Sequence, residues 1–173
     1  MATLTERIER LAESATIAMS QRSRNLRAQG VDVINLSLGE PDFNTPDFIK
    51  EAAKQAIDDN YSHYPPVPGF LEVRESIAKK LKRDNGLTVD PQQVVISTGA
   101  KQSLMNAVLC LVDPGDEVVL PAPFWVSYRD MIRFAEGVAV EVPTSIEDDF
   151  KLTPEKLEAS ITEKTKLILF SSP

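Results

Sequence analysis

Three reactive residue types are nearly absent, since cysteine, histidine and tryptophan each occur once in 173 residues. Cys110 lies in an apolar, helix-forming run, so we interpret it as a small core residue rather than a nucleophile. His63 lies in a proline-rich stretch and is interpreted as a solvated loop residue rather than a catalyst.

The sequence also lacks long apolar runs and an excess of positive charge. No run reaches the roughly 18 residues of a membrane span, and the first residues lack the basic-then-apolar pattern of a signal peptide. With 19 basic and 26 acidic residues the net charge is −7, which argues against nucleic acid or an anionic membrane as the main partner. We expect a cytoplasmic globular protein in which any anion site is local.

Strand and helix signals alternate along the chain after a charged, weakly amphipathic arm at residues 1–13. This alternation predicts an α/β fold with a mostly parallel, doubly wound sheet that has helices on both faces. Strands are predicted at 33–37, 94–96, 117–120, 138–142 and 166–170. Helices are predicted at 20–29, 46–60, 70–83, 125–134 and 154–161, with a further helix after Gly99 that buries Leu104, Met105, Val108 and Leu111.

A strand–turn–helix junction at residues 94–102 is the main candidate for a binding site. The first N–H groups of a helix lack intrahelical partners and carry partial positive charge, so a phosphate fits there. Gly99 and Ala100 leave room for an anion, and Lys101 can add an ammonium donor. The same junction also occurs in proteins that bind nothing there, and its spacing fits neither common nucleotide motif.

Three more residues have both a structural and a functional interpretation. Gly39 either relieves a tight turn or lets the backbone approach a ligand closely. Tyr64 lies on a proline-rich loop, from which a phenol could reach a phosphate or cover a pocket. Trp125 follows a strand end, where open α/β sheets bind ligands, so it is either a core aromatic or a stacking surface for a planar ring.

Four segments, in this order and spacing, resemble class I/II aminotransferases. They are Asn-Leu-Ser-Leu-Gly-Glu-Pro-Asp-Phe at 35–43, Tyr-Pro-Pro-Val-Pro-Gly at 64–69, Ser-Thr-Gly-Ala-Lys-Gln at 97–102 and Pro-Ala-Pro-Phe-Trp-Val-Ser-Tyr at 121–128. The resemblance extends from Ser14 to Pro173 and is strongest to bacterial and plant aspartate aminotransferases of the aspartate/prephenate type. It implies the fold of pyridoxal-phosphate-dependent transferases.

The resemblance also implies roles around pyridoxal 5′-phosphate. Gly99, Ala100 and Lys101 match the phosphate-binding turn, and Trp125 matches the aromatic residue that stacks on the pyridine ring and contacts the substrate. Tyr64 matches a tyrosine that reaches the phosphate in the neighbouring subunit, which implies a homodimer with shared sites.

Substrate contacts are implied at three positions. Gly39 matches the backbone contact to the substrate α-carboxylate. Thr16 and Lys101 match positions near the distal carboxylate of an acidic substrate, which implies aspartate and glutamate. Prephenate-active relatives often have Lys-Pro where this chain has Ala12-Glu13, so we expect aspartate activity without efficient prephenate turnover.

The lysine that forms the Schiff base with the cofactor and serves as general base is not among these matches. No catalytic residue is therefore assigned, and Lys101 is a poor substitute because it matches a position beside the phosphate. We expect an N-terminal fragment, inactive alone, with residues 1–45 forming the arm and the start of a small domain and 46–173 beginning the large cofactor domain. Other substrate specificities (prephenate, alanine, aromatic amino acids), β-elimination chemistry and a non-catalytic binding module are the alternatives.

Overall fold

The computed structural model describes residues 4–9, 11, 13–36 and 39–171. The chain divides into two compact units, one formed by residues 1–39 with 101–173 and the other by residues 40–100. The predicted division into small and large domains near residue 45 stays a prediction.

The first unit contains a three-stranded parallel sheet with the order β2-β1-β3. The central strand β1 is Glu117–Ala122, and β2 and β3 are Val138–Pro143 and Thr165–Ile168. Val119 pairs with Val140 on one side and with Ile168 on the other. These β-branched runs suit a pleated, buried surface. The parallel pairing of the three strands confirms the predicted parallel sheet.

Both faces of β1 are buried. Val118 and Leu120 point to one face and join the core cluster with Val108, Ile132 and Leu169. Successive side chains alternate across a strand, so Val119, which is also fully buried, points to the opposite face. A strand buried on both faces is the expected centre of a doubly wound sheet.

Seven helices are present among the described residues. They are α1 (Glu6–Glu9), α2 (Ala15–Ala28), α3 (Asp47–Asp58), α4 (Leu71–Asn85), α5 (Ala100–Leu111), α6 (Ser127–Phe134) and α7 (Pro154–Ser160). The second unit holds α3, α4 and a 3-10 turn at Pro91–Gln93 that Asp90 caps. None of the described helices is long and apolar enough to cross a membrane.

Two of the predicted strands are wrong in this structure. Residues 33–36 and 94–97 form no ladder, and Ser37 lies outside the described residues. A strand requires a ladder of hydrogen bonds to a neighbouring strand, and within the described part of the chain neither segment is paired in such a ladder.

Two burial predictions are wrong, since Cys110 and Leu111 of α5 are exposed rather than in the core. Some helix boundaries also differ from the predictions. Helix α2 begins at Ala15 rather than Ser20, and Pro46 rather than Thr45 occupies the N-cap of α3, without a side-chain cap. Trp125 lies before α6 rather than in its first turn. Helix ends depend on a few local contacts, so their positions are the least certain part of a sequence prediction.

Candidate active site

The predicted phosphate turn has the expected backbone. Gly99 has φ +86°, and its N–H donates to the Ser97 carbonyl at 2.8 Å. Helix α5 begins at the next residue, Ala100, and its first turn has no acidic residue. Apart from Gly99 and its two chain neighbours, no described residue has a heavy atom within 4 Å of the position that a Cβ at Gly99 would occupy. The turn therefore offers a left-handed glycine, open space and the positive end of a helix to an anion.

The boundary between the compact units falls inside this first helical turn, since Ala100 belongs to one unit and Lys101 to the other. On the side of Lys101, its Nζ lies 4.7 Å from the centroid of the Trp125 ring. This distance is within the range of a cation–π interaction. The structure thus brings together two residues that the sequence singled out separately.

Trp125 is held by the residues that follow it. The Tyr128 ring lies edge-on to the indole, with the centroids 5.5 Å apart and the planes at 89°. The Tyr128 N–H also donates to the Trp125 carbonyl at 3.0 Å. Because Tyr128 is only 7% exposed while Trp125 is 38% exposed, a core residue anchors a tryptophan whose ring is partly available to a ligand.

The end of β1 is fixed in place just before Trp125. The Ala122 carbonyl accepts hydrogen bonds from the backbone N–H and the hydroxyl of Thr144. Thr144 directly follows β2, so the two parallel strands are tied together at their carboxyl ends. This is the edge at which open α/β sheets place their ligand sites.

Next to Lys101 lies an open cleft of about 540 Å³, contained within the first unit. Glu13 and Ser14 line it from the chain before α2, and Phe124 and Arg129 line it from the end of β1 and from α6. Arg129 donates to Glu141 at 2.7 Å and lies 5.4 Å from the Phe124 ring centroid. The Arg129 charge is therefore balanced by Glu141, whereas the Lys101 ammonium lies against the tryptophan ring.

The other predicted site residues are exposed to different degrees. Thr16 is half-buried in the first turn of α2, and its neighbours Ser14 and Ala15 line the same cleft as Lys101. Gly39 is exposed, and nothing lies within 4 Å of its would-be Cβ. Tyr64, in the second unit, is fully exposed. Whether these residues bind a ligand stays a prediction.

Tyr128, Phe124 and Arg129 were not singled out from the sequence as parts of a site. Tyr128 and Phe124 lie inside the motif around Trp125, which could have drawn attention to them. Arg129 had no such signal, because its partner Glu141 is 12 residues away on another element. No group of three or more residues able to hold a metal ion occurs in the described ranges.

Comparison with known proteins gives consistent results. Residues 31–173 match the family described as aminotransferase class I and II. The chain is 50% identical over its full length to an aspartate/prephenate aminotransferase of Cereibacter sphaeroides, of which it covers 43%. It is 46% identical over 98% of its length to a bifunctional aspartate and glutamate/aspartate-prephenate aminotransferase of Petunia hybrida, of which it covers 36%.

A solved structure is similar over nearly the whole chain. The aspartate aminotransferase of Thermus thermophilus with maleate aligns with a TM-score of 0.93 and 44% identity, covering 97% of this chain and 44% of that one. The chain therefore has the fold of the N-terminal part of that enzyme, and it spans less than half the length of these relatives.

Proposed function

This chain belongs to the aminotransferase class I and II family, and from that premise we propose that the whole protein is an aspartate aminotransferase. The reaction is the transfer of the amino group of L-aspartate to 2-oxoglutarate, giving oxaloacetate and L-glutamate. The observation that carries the proposal is the position of the Lys101 ammonium, 4.7 Å from the centre of the Trp125 ring, on the residue that directly follows the Gly99–Ala100 turn in sequence. A planar, phosphorylated cofactor and an acidic substrate require these two features.

The residues present fit pyridoxal 5′-phosphate as the cofactor. The open space at Gly99 and the start of α5 without acidic side chains suit a phosphate group. The partly exposed indole of Trp125 suits a pyridine ring. When bound, the cofactor supplies the electron sink that lets an amino acid lose its α-proton.

The chain's own residues bind and orient the reactants. The amides around Gly99 and Ala100 hold the phosphate, which fixes the cofactor by the end away from the chemistry. Trp125, anchored by Tyr128, sets the plane of the ring. Gly39 offers its backbone to the substrate α-carboxylate. No described residue is proposed as the lysine that bears the cofactor, because Lys101 has a role toward the substrate.

An acidic substrate is proposed because the Lys101 ammonium lies over the Trp125 ring and no ion pair joins it to a carboxylate of the described residues. A substrate carboxylate would gain a charge-assisted hydrogen bond from the Lys101 ammonium. Thr16 directly follows Ser14 and Ala15, which line the same cleft as Lys101. The relative from Thermus thermophilus was solved with maleate, a four-carbon dicarboxylate. Aspartate and oxaloacetate have the same number of carbons and both carboxylates.

The test is a comparison of amino donors on the whole protein. We expect kcat/KM with 2-oxoglutarate to be at least about a hundredfold higher for L-aspartate than for L-alanine or L-phenylalanine, since a missing charged partner costs several kcal/mol. Similar rates for all three donors would contradict the proposed specificity. Activity with none of them would support a non-catalytic binding module instead.

Prephenate is the second candidate acceptor, and the names of the relatives favour it. The observation against it is Glu13, which lines the cleft next to Lys101 at one of the two positions where prephenate-active relatives often have Lys-Pro. Ala12 lies outside the described residues. We propose weak prephenate turnover, and turnover as efficient as with oxaloacetate would overturn that part of the proposal.

We also propose that the protein is a cytoplasmic homodimer with shared active sites. Tyr64 supports the shared sites, since its fully exposed phenol lies at the tip of a rigid loop and is available to a second copy. The location in the cytoplasm rests on the sequence expectations alone.

A further inference from the structure

The Arg74 side chain hydrogen-bonds to two loops that are far apart in sequence, one ending at Gly69 and the other at Pro91. This half-buried residue lies in the first turns of α4. Its Nε donates to the Gly69 carbonyl at 3.1 Å, and its Nη1 donates to the Pro91 carbonyl at 3.0 Å. A guanidinium is planar and has donors at fixed angles, so one such group can hold two acceptors in a fixed relation.

The first of these loops carries Tyr64. Between Tyr64 and Gly69 the chain has prolines at 65, 66 and 68, and each fixes its own φ. The Gly69 N–H also donates to the Pro66 carbonyl at 2.8 Å. Because this loop is stiff, the position of Tyr64 depends on the position of Gly69, the end of the loop that Arg74 holds.

The second loop leads into the phosphate turn. The 3-10 turn at Pro91–Gln93 is followed directly by residues 94–97, and Gly99 comes two residues later. The Val94 N–H donates to the Pro91 carbonyl at 3.2 Å. That carbonyl therefore accepts from both the backbone and Arg74, which fixes the point from which the chain runs to Gly99.

The two loops also contact each other. The Ile96 N–H donates to the Pro68 carbonyl at 3.1 Å. At Gly69, which has φ +95°, an added Cβ would lie only 2.5 Å from Ile96 Cδ1. The close contact requires glycine, and its geometry depends on the loops keeping the relation that Arg74 sets.

We propose that Arg74 is a positioning residue that holds the Tyr64 loop and the Gly99 turn in one arrangement for phosphate binding. The inference rests on the proposed function. There, the Gly99 turn binds the phosphate of its own subunit's cofactor and Tyr64 reaches that of the neighbouring subunit, so Arg74 links the two phosphate contacts of the dimer.

The test uses Arg74→Gln and Arg74→Lys in the whole protein, with Arg83→Gln as the matched control. Arg83 lies on the same helix, but it is exposed and contacts only its neighbour Asp84 in the hydrogen bonds described for it. The first readout needs no cofactor: hydrogen exchange of the Gly69 and Ile96 amides in the apo-protein. We expect exchange at least about tenfold faster in Arg74→Gln and unchanged in Arg83→Gln.

The second readout is the affinity for pyridoxal 5′-phosphate divided by the affinity for pyridoxal, which lacks the phosphate. We expect Arg74→Gln to lower this ratio at least about tenfold through weaker binding of the phosphorylated form alone. Arg74→Lys should lie between the glutamine variant and the wild type, because an ammonium keeps the charge without the fixed fork of donors.

The outcomes separate the two proposals. A wild-type protein that shows no preference for the phosphorylated cofactor would overturn the proposed function. A wild type with that preference, together with Arg74 variants that keep both the preference and the slow amide exchange, would overturn the role of Arg74. If Arg74→Gln does not fold, the same two measurements on Arg74→Lys decide.

Discussion

Lys101 is the residue on which the substrate class depends, because its ammonium lies beside the only tryptophan. We predict that Lys101→Met raises KM for L-aspartate at least about tenfold, since hydrogen bonds to charged groups contribute about 1.5–3 kcal/mol. KM for L-alanine should stay within about twofold, because alanine has no distal carboxylate. Steady-state kinetics with both donors measures this.

The control for Lys101 is Lys54→Met, which removes an exposed lysine that pairs with Glu51 at 2.7 Å on α3. It should leave both KM values unchanged. The fluorescence of Trp125 should change in Lys101→Met but not in the control, since Lys101 contacts the indole and Lys54 pairs with Glu51 on α3. An equal rise in KM for both donors would contradict a role in recognising the distal carboxylate.

A second prediction at this scale concerns the pH dependence of stability. The Lys156 ammonium hydrogen-bonds Asp148 and holds the pKa of that carboxyl below its ordinary value. A lowered carboxyl pKa contributes stability above the unfolded pKa of about 3.9, and this contribution is lost as the pH falls through the folded value. Lys156→Gln should therefore lower Tm at pH 7, and the difference from wild type should shrink toward pH 3.

Lys151→Gln is the matched control for this pair. Lys151 contacts Asp149 at 2.7 Å, but these side chains are 75% and 81% exposed, against 38% and 33% for Lys156 and Asp148. An exposed pair contributes little, so this variant should show no pH-dependent difference in Tm. A Tm difference for Lys156→Gln that is as large at pH 3 as at pH 7 would disprove the electrostatic origin.

At the scale of elements, the start of helix α7 is a feature that the sequence alone predicts. The sequence predicts a helix that begins at residue 154, and the Thr153 hydroxyl just before it accepts a hydrogen bond from the Lys156 N–H at 3.3 Å. We predict that Thr153→Ala lowers the free energy of unfolding by about 0.5–2 kcal/mol. Denaturant unfolding measures this loss.

Thr153→Ser is the control for the cap, because serine keeps the hydroxyl that accepts the bond. It should be destabilised clearly less than Thr153→Ala. Equal losses in the two variants would mean that the threonine methyl group, rather than the cap, contributes the stability.

The elements that the sequence predicted correctly depend on local chemistry or on buried runs. The cap at Thr153 involves residues a few positions apart, and β1 is apolar enough to be recognised alone. The predicted strand at 94–96 is wrong because pairing depends on a neighbour far away in sequence. For the same reason the contact of Arg74 with Pro91, 17 residues away, could not be predicted.

The residues of the candidate site also fall into two groups, those that a local sequence pattern reveals and those that depend on tertiary contacts. Gly99 and Trp125 could be found because each follows a local pattern, a strand–turn–helix junction and a strand end. That Lys101 lies against the Trp125 ring follows from packing between α5 and the segment before α6, which no local pattern contains. Arg129 and Tyr128 were missed because their roles come from these tertiary contacts.

At the scale of the whole molecule, shared active sites make a quantitative prediction. In a mixed dimer of Tyr64→Leu and Trp125→Ala subunits, one site combines both defects and the other is intact if Tyr64 serves the neighbouring subunit. Random assembly makes half of the dimers mixed, so about a quarter of the wild-type sites should be restored by coexpression. Each variant alone should have low activity.

Mixed dimers with no more activity than the two variants give separately would contradict a shared site. A pair of variants that affect the same subunit's part of the site, Lys101→Met and Trp125→Ala, provides the comparison. Mixed dimers of that pair contain no intact site, so coexpression should restore nothing.

Amino-group transfer itself is the most direct test of the central claim. The whole protein, supplied with pyridoxal 5′-phosphate, is incubated with ¹⁵N-labelled L-aspartate and 2-oxoglutarate, and the products are analysed by mass spectrometry. The account predicts ¹⁵N in glutamate and an equal amount of oxaloacetate, both dependent on the cofactor. If the protein binds the cofactor but forms neither ¹⁵N-labelled glutamate nor oxaloacetate, the account is contradicted.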